Sequence, residues 1–169
     1  MKSILWLLLA AALPLGAKTV SLGDRVGEVI NAEYSAAPQE ITGRSSSKLP
    51  NPLPKERFIV ITVRMPAGRS MSIVDYNLRV NGATVPCMAA ARDTQMWLAA
   101  PDPVLVTENS VARLLFVVDG SKIRPANGKL SATLQPALRG RRAATFVIRD
   151  IGDKKFTEPA QIPAAGLLP

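Results

Sequence analysis

Phe58-Ile-Val-Ile-Thr-Val63 is the stretch that decides the fold. It is β-branched and aromatic, carries no charge, and lies between Arg57 and Arg64. It is too short for a stable helix, and its residues suit a pleated, buried surface, so it reads as a strand. Both of its faces are apolar, which predicts a central strand with a neighbour on each side. Leu114-Leu-Phe-Val-Val118 is the similar run elsewhere in the chain and the expected partner.

Downstream, Met65-Pro66-Ala67-Gly68 gives a turn. Val74, Tyr76, Leu78 and Val80 then alternate with Asp75, Asn77, Arg79 and Asn81, and Asn81-Gly82 leads into Ala83-Thr84-Val85-Pro86-Cys87. Asn-Gly between alternating strands predicts a type I′ hairpin, which fixes the register. Val80 then faces Ala83, Leu78 faces Val85, Tyr76 faces Cys87 and Val74 faces Ala89, all on one face. Pro86 falls opposite Asn77 and is tolerated if its strand is an edge. Thr94–Ala99, Val111–Val118, Lys129–Leu134 and the alternating run from Ala144 to Arg149 predict further strands. Before the central strand, Val29–Tyr34 is the best candidate between Thr19 and Ser35. Together these give about seven to nine short strands and an all-β fold, an immunoglobulin-like antiparallel β-sandwich, with a small β-barrel as the alternative.

The ends and the main insertion differ in composition. Met1-Lys2-Ser3, an apolar run from Ile4 to Leu15 and Gly16-Ala17 predict a signal peptide over residues 1–17. The run is shorter than the roughly 20 residues that span a bilayer. The protein is therefore expected to be exported, to a periplasm, an outer surface or the medium. The sandwich is expected over residues 18–155, with a Pro/Ser-rich loop at 36–56 holding Pro38, Pro50, Pro52, Pro54 and Ser45-Ser46-Ser47. Residues 156–169 read as a mobile C-terminal tail.

The 169-residue chain carries a formal charge of +8. The excess is concentrated between Lys122 and Lys155, where only Asp150 and Asp153 oppose the basic residues. Such a segment favours polyanions: acidic glycans, lipid head groups or an acidic protein. Export and the missing basic–aromatic motif argue against nucleic acid. Arg139, Arg141 and Arg142 share one loop before the final strand and are the candidate anion- or partner-binding residues.

The residues offer little for catalysis. The chain has no histidine, which removes Ser-His-Asp and Cys-His machinery and the commonest metal ligand. Cys87 is the only cysteine, so no internal disulfide forms, and its inward direction predicts an inert core thiol. The acids sit singly beside basic residues, as in Asp24-Arg25, Glu56-Arg57 and Arg92-Asp93, and read as solvated surface charges. No phosphate-binding glycine loop or EF-hand is present, so no cofactor and no metal is expected. Trp97 beside Met96 and Leu98 reads as core rather than as a sugar-stacking platform.

The order Val20-Ser-Leu-Gly23-Asp24, Arg57-Phe-Ile-Val-Ile-Thr-Val63, Tyr76-Asn-Leu-Arg-Val-Asn-Gly82 and Arg113-Leu-Leu-Phe-Val-Val118 resembles telokin-like immunoglobulin-like domains of secreted bacterial proteins. That resemblance extends over roughly residues 19–149; the signal, the low aromatic content and the Pro-rich insertion also resemble the small immunoglobulin-like proteins encoded with type IV pilus-like machinery in mucus-dwelling gut bacteria. It implies a non-enzymatic binding or assembly module with a protein partner in a pilus or cell envelope, and supplies no catalytic residue. Because the apolar run is short and read as removed, an accessory component is expected rather than a filament subunit. The competing expectations are an adhesin for acidic glycans or anionic lipid through the basic loop and, with few acids to support it, a glycosidase. Self-association is left open.

Overall fold

The computed structural model describes residues 18–22, 25–37, 55–64, 69–71, 75–99, 104–106, 110–124 and 129–161. The expected signal, most of the Pro/Ser-rich loop and the last residues of the tail lie outside these, as do Gly23-Asp24 and Val74. The described strands are β1 (Thr19–Leu22), β2 (Arg25–Ser35), β3 (Glu56–Arg64), β4 (Arg69–Met71), β5 (Tyr76–Val80) and β6 (Ala83–Pro86). They continue with β7 (Ala89–Arg92), β8 (Leu98–Ala99), β9 (Val104–Val106), β10 (Val111–Asp119), β11 (Leu130–Pro136) and β12 (Ala144–Asp150).

The main sheet runs β6-β5-β11-β12-β2-β3-β10-β7-β8, with β1 as a further partner of β2 and β4-β9 as a separate pair. Within it, β2-β3-β10-β7 follows the A-B-E-D order of an immunoglobulin sandwich and β12-β11-β5-β6 follows G-F-C-C′, in matching chain order. One pairing departs from the antiparallel expectation. β12 runs parallel to β2 at Arg149↔Glu33 and Asp150↔Tyr34 and joins the two layers. A parallel pair needs a long connection, and here nearly the whole domain lies between its strands. The hydrogen-bonded path therefore curls from one layer into the other, as in a barrel, while its end strands β6 and β8 are not paired with each other.

The stretch Phe58–Val63 is central, as its composition requires. β3 pairs with β10 along its whole length, from Glu56↔Asp119 to Arg64↔Val111, and with β2 on its other edge. Ile59, Ile61 and Val63 face the space between the layers with Leu114, Phe116, Leu78, Leu134, Phe146 and Ile148. The Asn81-Gly82 turn has φ of 46° and 81°, both left-handed, as type I′ demands. Its register is the one read from the sequence as far as it extends, Val80↔Ala83, Leu78↔Val85 and Asn77↔Pro86, but Ala89, expected to continue it opposite Val74, belongs to β7 and pairs with Leu115 of β10. β6 ends the sheet path, which leaves room for Pro86.

β2 contains a bulge between Val29 and Asn31. One extra residue reverses which side chains face the core. Val29 and Ala32 both point inward, and Asn31, Glu33 and Ser35 share the outer face with Thr62, Phe58 and Val60. That outer face is buried. Phe58, Val60, Ala89, Ala91, Leu115 and Trp97 form a second apolar cluster, and Phe156 packs against it. The chain after β12 supplies part of this cover. Ala36 N–H donates to the Gly152 carbonyl (2.9 Å), and the Ser35 hydroxyl lies 2.7 Å from the Lys154 carbonyl. Thr157 bonds to Glu33, and a short 3-10 turn follows at Pro159–Gln161. Residues 151–157 thus strap the outer face of the β2-β3-β10 layer.

Candidate functional site

The loop between β11 and β12 is built by local constraints. Pro136 closes β11, and Ala137 N–H donates to the Asp75 carbonyl (2.6 Å). Gly140 turns the chain with φ of 75°, a conformation that resists L side chains, although a Cβ there would meet nothing within 4 Å. The return limb is tied to β1: Ser21 N–H donates to the Arg142 carbonyl (2.9 Å), and Arg142 N–H donates to the Ser21 hydroxyl (2.9 Å).

This geometry separates the three arginines expected to act together. Arg139 and Arg141 are exposed and line an open depression of about 350 Å³, together with Asn77, Gln135 and Leu138. Arg142 is held by β1, where its Nη1 donates to Thr19 Oγ1 (3.1 Å). The pair at the depression can offer forked N–H donors to a carboxylate, sulfate or phosphate, and the two amides can donate to and accept from its polar substituents. Asn77 and Gln135 carried no sequence signal as site residues. They meet only because β5 and β11 pair at Gln135↔Asn77.

The remaining basic residues disperse. Arg149 is ion-paired with Glu33, Lys122 with Asp119 (3.6 Å). Lys154 lies in the strap, beyond the far end of β12 from the loop, where its carbonyl accepts from Ser35. The Lys122–Lys155 segment is basic in sequence without forming one compact site.

Sequence reading missed a buried polar cluster. Glu33 is only 1% exposed, and besides Arg149 its carboxylate accepts from Thr157 N–H (2.8 Å) and Thr157 Oγ1 (2.6 Å). Burial pushes its pKa up, but the Thr157 and Arg149 hydrogen bonds and charge outweigh this, and the carboxyl sits below its ordinary value. With both oxygens engaged, this group is built to hold the strap rather than to move a proton to a substrate.

Two other side chains serve packing. Trp97 is buried, and the Arg113 guanidinium lies 4.7 Å from its ring centroid while donating to the Gln95 carbonyl (3.0 Å). That ring is not an exposed sugar platform. Asp93, read as a solvated charge, accepts from Val111 N–H (2.9 Å) and so anchors the start of β10. Among the described residues no group of His, Cys, Asp and Glu side chains is arranged to hold a metal ion, and no helix is long and apolar enough to cross a membrane.

Comparison with known proteins finds no matching family model, no matching curated protein and no matching solved structure.

Proposed function

We propose that this chain is an exported, non-enzymatic binding module that holds an anionic partner at the β11–β12 loop. The observation that carries the reading is the placement of Arg139 and Arg141 in an open depression that Asn77 and Gln135 also line. The layer that bears the depression turns an exposed polar surface outward. Arg79, Ser131 and Thr145 alternate there with buried residues, and Thr133 and Thr145 share a hydrogen bond (3.0 Å). The opposite layer is covered by the strap. The buried cluster at Glu33 is committed to the fold, which favours binding over turnover. The pilus or cell-envelope setting implied by the resemblance is the context we propose for this binding.

The test uses dextran sulfate as the probe. The parent chain should bind it with an affinity that falls as salt rises, because exposed charge attraction is screened within about 8 Å at 0.15 M. An Arg139→Ala/Arg141→Ala double variant should lose that binding at an unchanged melting temperature. Parental binding by a folded double variant would overturn the reading.

A further inference from the structure

The basic loop also carries one large exposed apolar side chain, which lines the same depression as Arg139 and Arg141. Leu138 is 64% exposed and stands immediately before Arg139, Gly140 and Arg141. Val26, 50% exposed, lies at the same end of the sandwich. Ser21 links the two regions: it pairs with Val26 in the β1–β2 ladder and is hydrogen-bonded to Arg142 of the loop. No acidic residue stands between Asp119 and Asp150 in the sequence. Of the described carboxylates at this end, Glu28 is paired with Arg64 (2.9 Å), Asp93 accepts from Val111 N–H (2.9 Å), and Asp75 is an exposed neighbour whose main chain holds Ala137.

Resting on the reading of this loop as an anion site, we propose that its partner is an anionic lipid surface. Leu138 enters the headgroup layer, and Arg139 and Arg141 contact lipid phosphates. A soluble acidic glycan would use the guanidinium groups but would leave Leu138 in water, and the sugar-stacking tryptophan it would favour is buried here under Arg113. A bilayer satisfies both chemistries, since its interface takes aliphatic side chains and its anionic headgroups attract arginine. The hydrogen bonds to β1 and the Asp75 carbonyl anchor both limbs of the loop, so its tip is presented on a fixed base.

The experiment compares vesicles of phosphatidylcholine alone with vesicles that also contain phosphatidylglycerol, by flotation of the purified full chain. The apolar run Ile4–Leu15 is common to every variant and cancels in the comparison. The chain should float with the phosphatidylglycerol vesicles in excess over the neutral ones. Leu138→Ser should weaken that excess on the order of tenfold, from the loss of aliphatic burial, while leaving dextran sulfate binding and the melting temperature at parental values. Leu138→Trp should retain lipid binding and shift its emission to the blue on adding anionic vesicles. Lipid binding indifferent to Leu138→Ser would overturn the proposal, because charge alone would then account for it. Dextran sulfate binding without vesicle binding would overturn it while leaving the proposed function standing. Failure to bind either probe would remove both.

Discussion

The Glu33 carboxylate of β2 is ion-paired with the Arg149 guanidinium of β12 across the parallel strand pair that joins the two layers of the sandwich. Thr157 completes the contact from the strap, donating its N–H and hydroxyl to the same carboxylate, and Arg149 Nη2 also donates to the Thr157 hydroxyl (3.1 Å). One buried side chain thereby ties the first long strand, the last strand and the segment after it. The bulge at Ile30 puts Glu33 on the outer face; without it, the residue would point into the apolar core, where a carboxylate is costly.

Glu33→Gln should lower stability by about 2 kcal/mol at neutral pH, since it removes a buried charge-assisted network and leaves an amide poorly matched to its donors. The pH dependence has a fixed sign. The folded carboxyl sits below its ordinary value of 4.5, so its stabilisation is full above that value and is lost as pH falls through the lower, folded one. Urea unfolding of both proteins across the acid range should show the gap between them closing as pH drops. A constant gap would assign the acid sensitivity to another group.

Phe156→Ala should loosen the strap without unfolding the sandwich. Phe156 is only partly buried against the outer cluster, so its loss should cost about 1–2 kcal/mol, below the full value for a core phenylalanine. Lys154 and Lys155 beside it are exposed, and trypsin should cut after them faster in the variant than in the parent. Equal cleavage rates would show that Phe156 does not hold the segment down.

The glycines at the two turns should respond to substitution for different reasons. Gly82→Val should cost about 1–3 kcal/mol from backbone strain alone, because φ is 81° and a Cβ would meet nothing within 4 Å. Gly120→Ala should cost a similar amount, about 1–3 kcal/mol, from overlap, since its Cβ would lie 2.8 Å from Arg57 Cγ and 3.0 Å from the Lys55 carbonyl oxygen. Thermal melting separates the two causes. Gly82→Asn should recover most of the stability lost in Gly82→Val, because asparagine tolerates φ > 0, and Gly120→Asn should recover none relative to Gly120→Ala.

What could be read from the sequence was what local chemistry decides. Asn81-Gly82 fixed a hairpin register because type I′ geometry is a property of those residues. Phe58–Val63 and Leu114–Val118 marked each other as partners because both are apolar on either face. The bulge left no trace, since one added residue changes register without changing composition. For that reason Glu33 did not stand out from the surface acids, and the parallel closure onto β12 was hidden by its sequence separation. The site divides in the same way. Arg139 and Arg141 were legible as a basic loop, whereas the tether between Arg142 and β1, and the amides of Asn77 and Gln135 beside the arginines, are brought there only by long-range pairing.

Cys87 should resist thiol reagents in the native protein. It is 5% exposed, its N–H donates to the Tyr76 carbonyl (3.0 Å) as the hairpin register requires, and its Sγ donates to the Ala89 carbonyl (3.3 Å). Burial pushes the thiol pKa up to about 12, so little thiolate, the reactive form, is present at neutral pH. Labelling should become fast only in denaturant, and its rate in intermediate urea should report the opening of the β5–β6 edge. Gly82→Val, which strains the turn of that same hairpin, should then speed Cys87 labelling, whereas Glu33→Gln, acting at the β12–β2 junction, should affect it only through global stability. Rapid modification of the native parent would mean that this edge opens on its own, against the burial of Cys87.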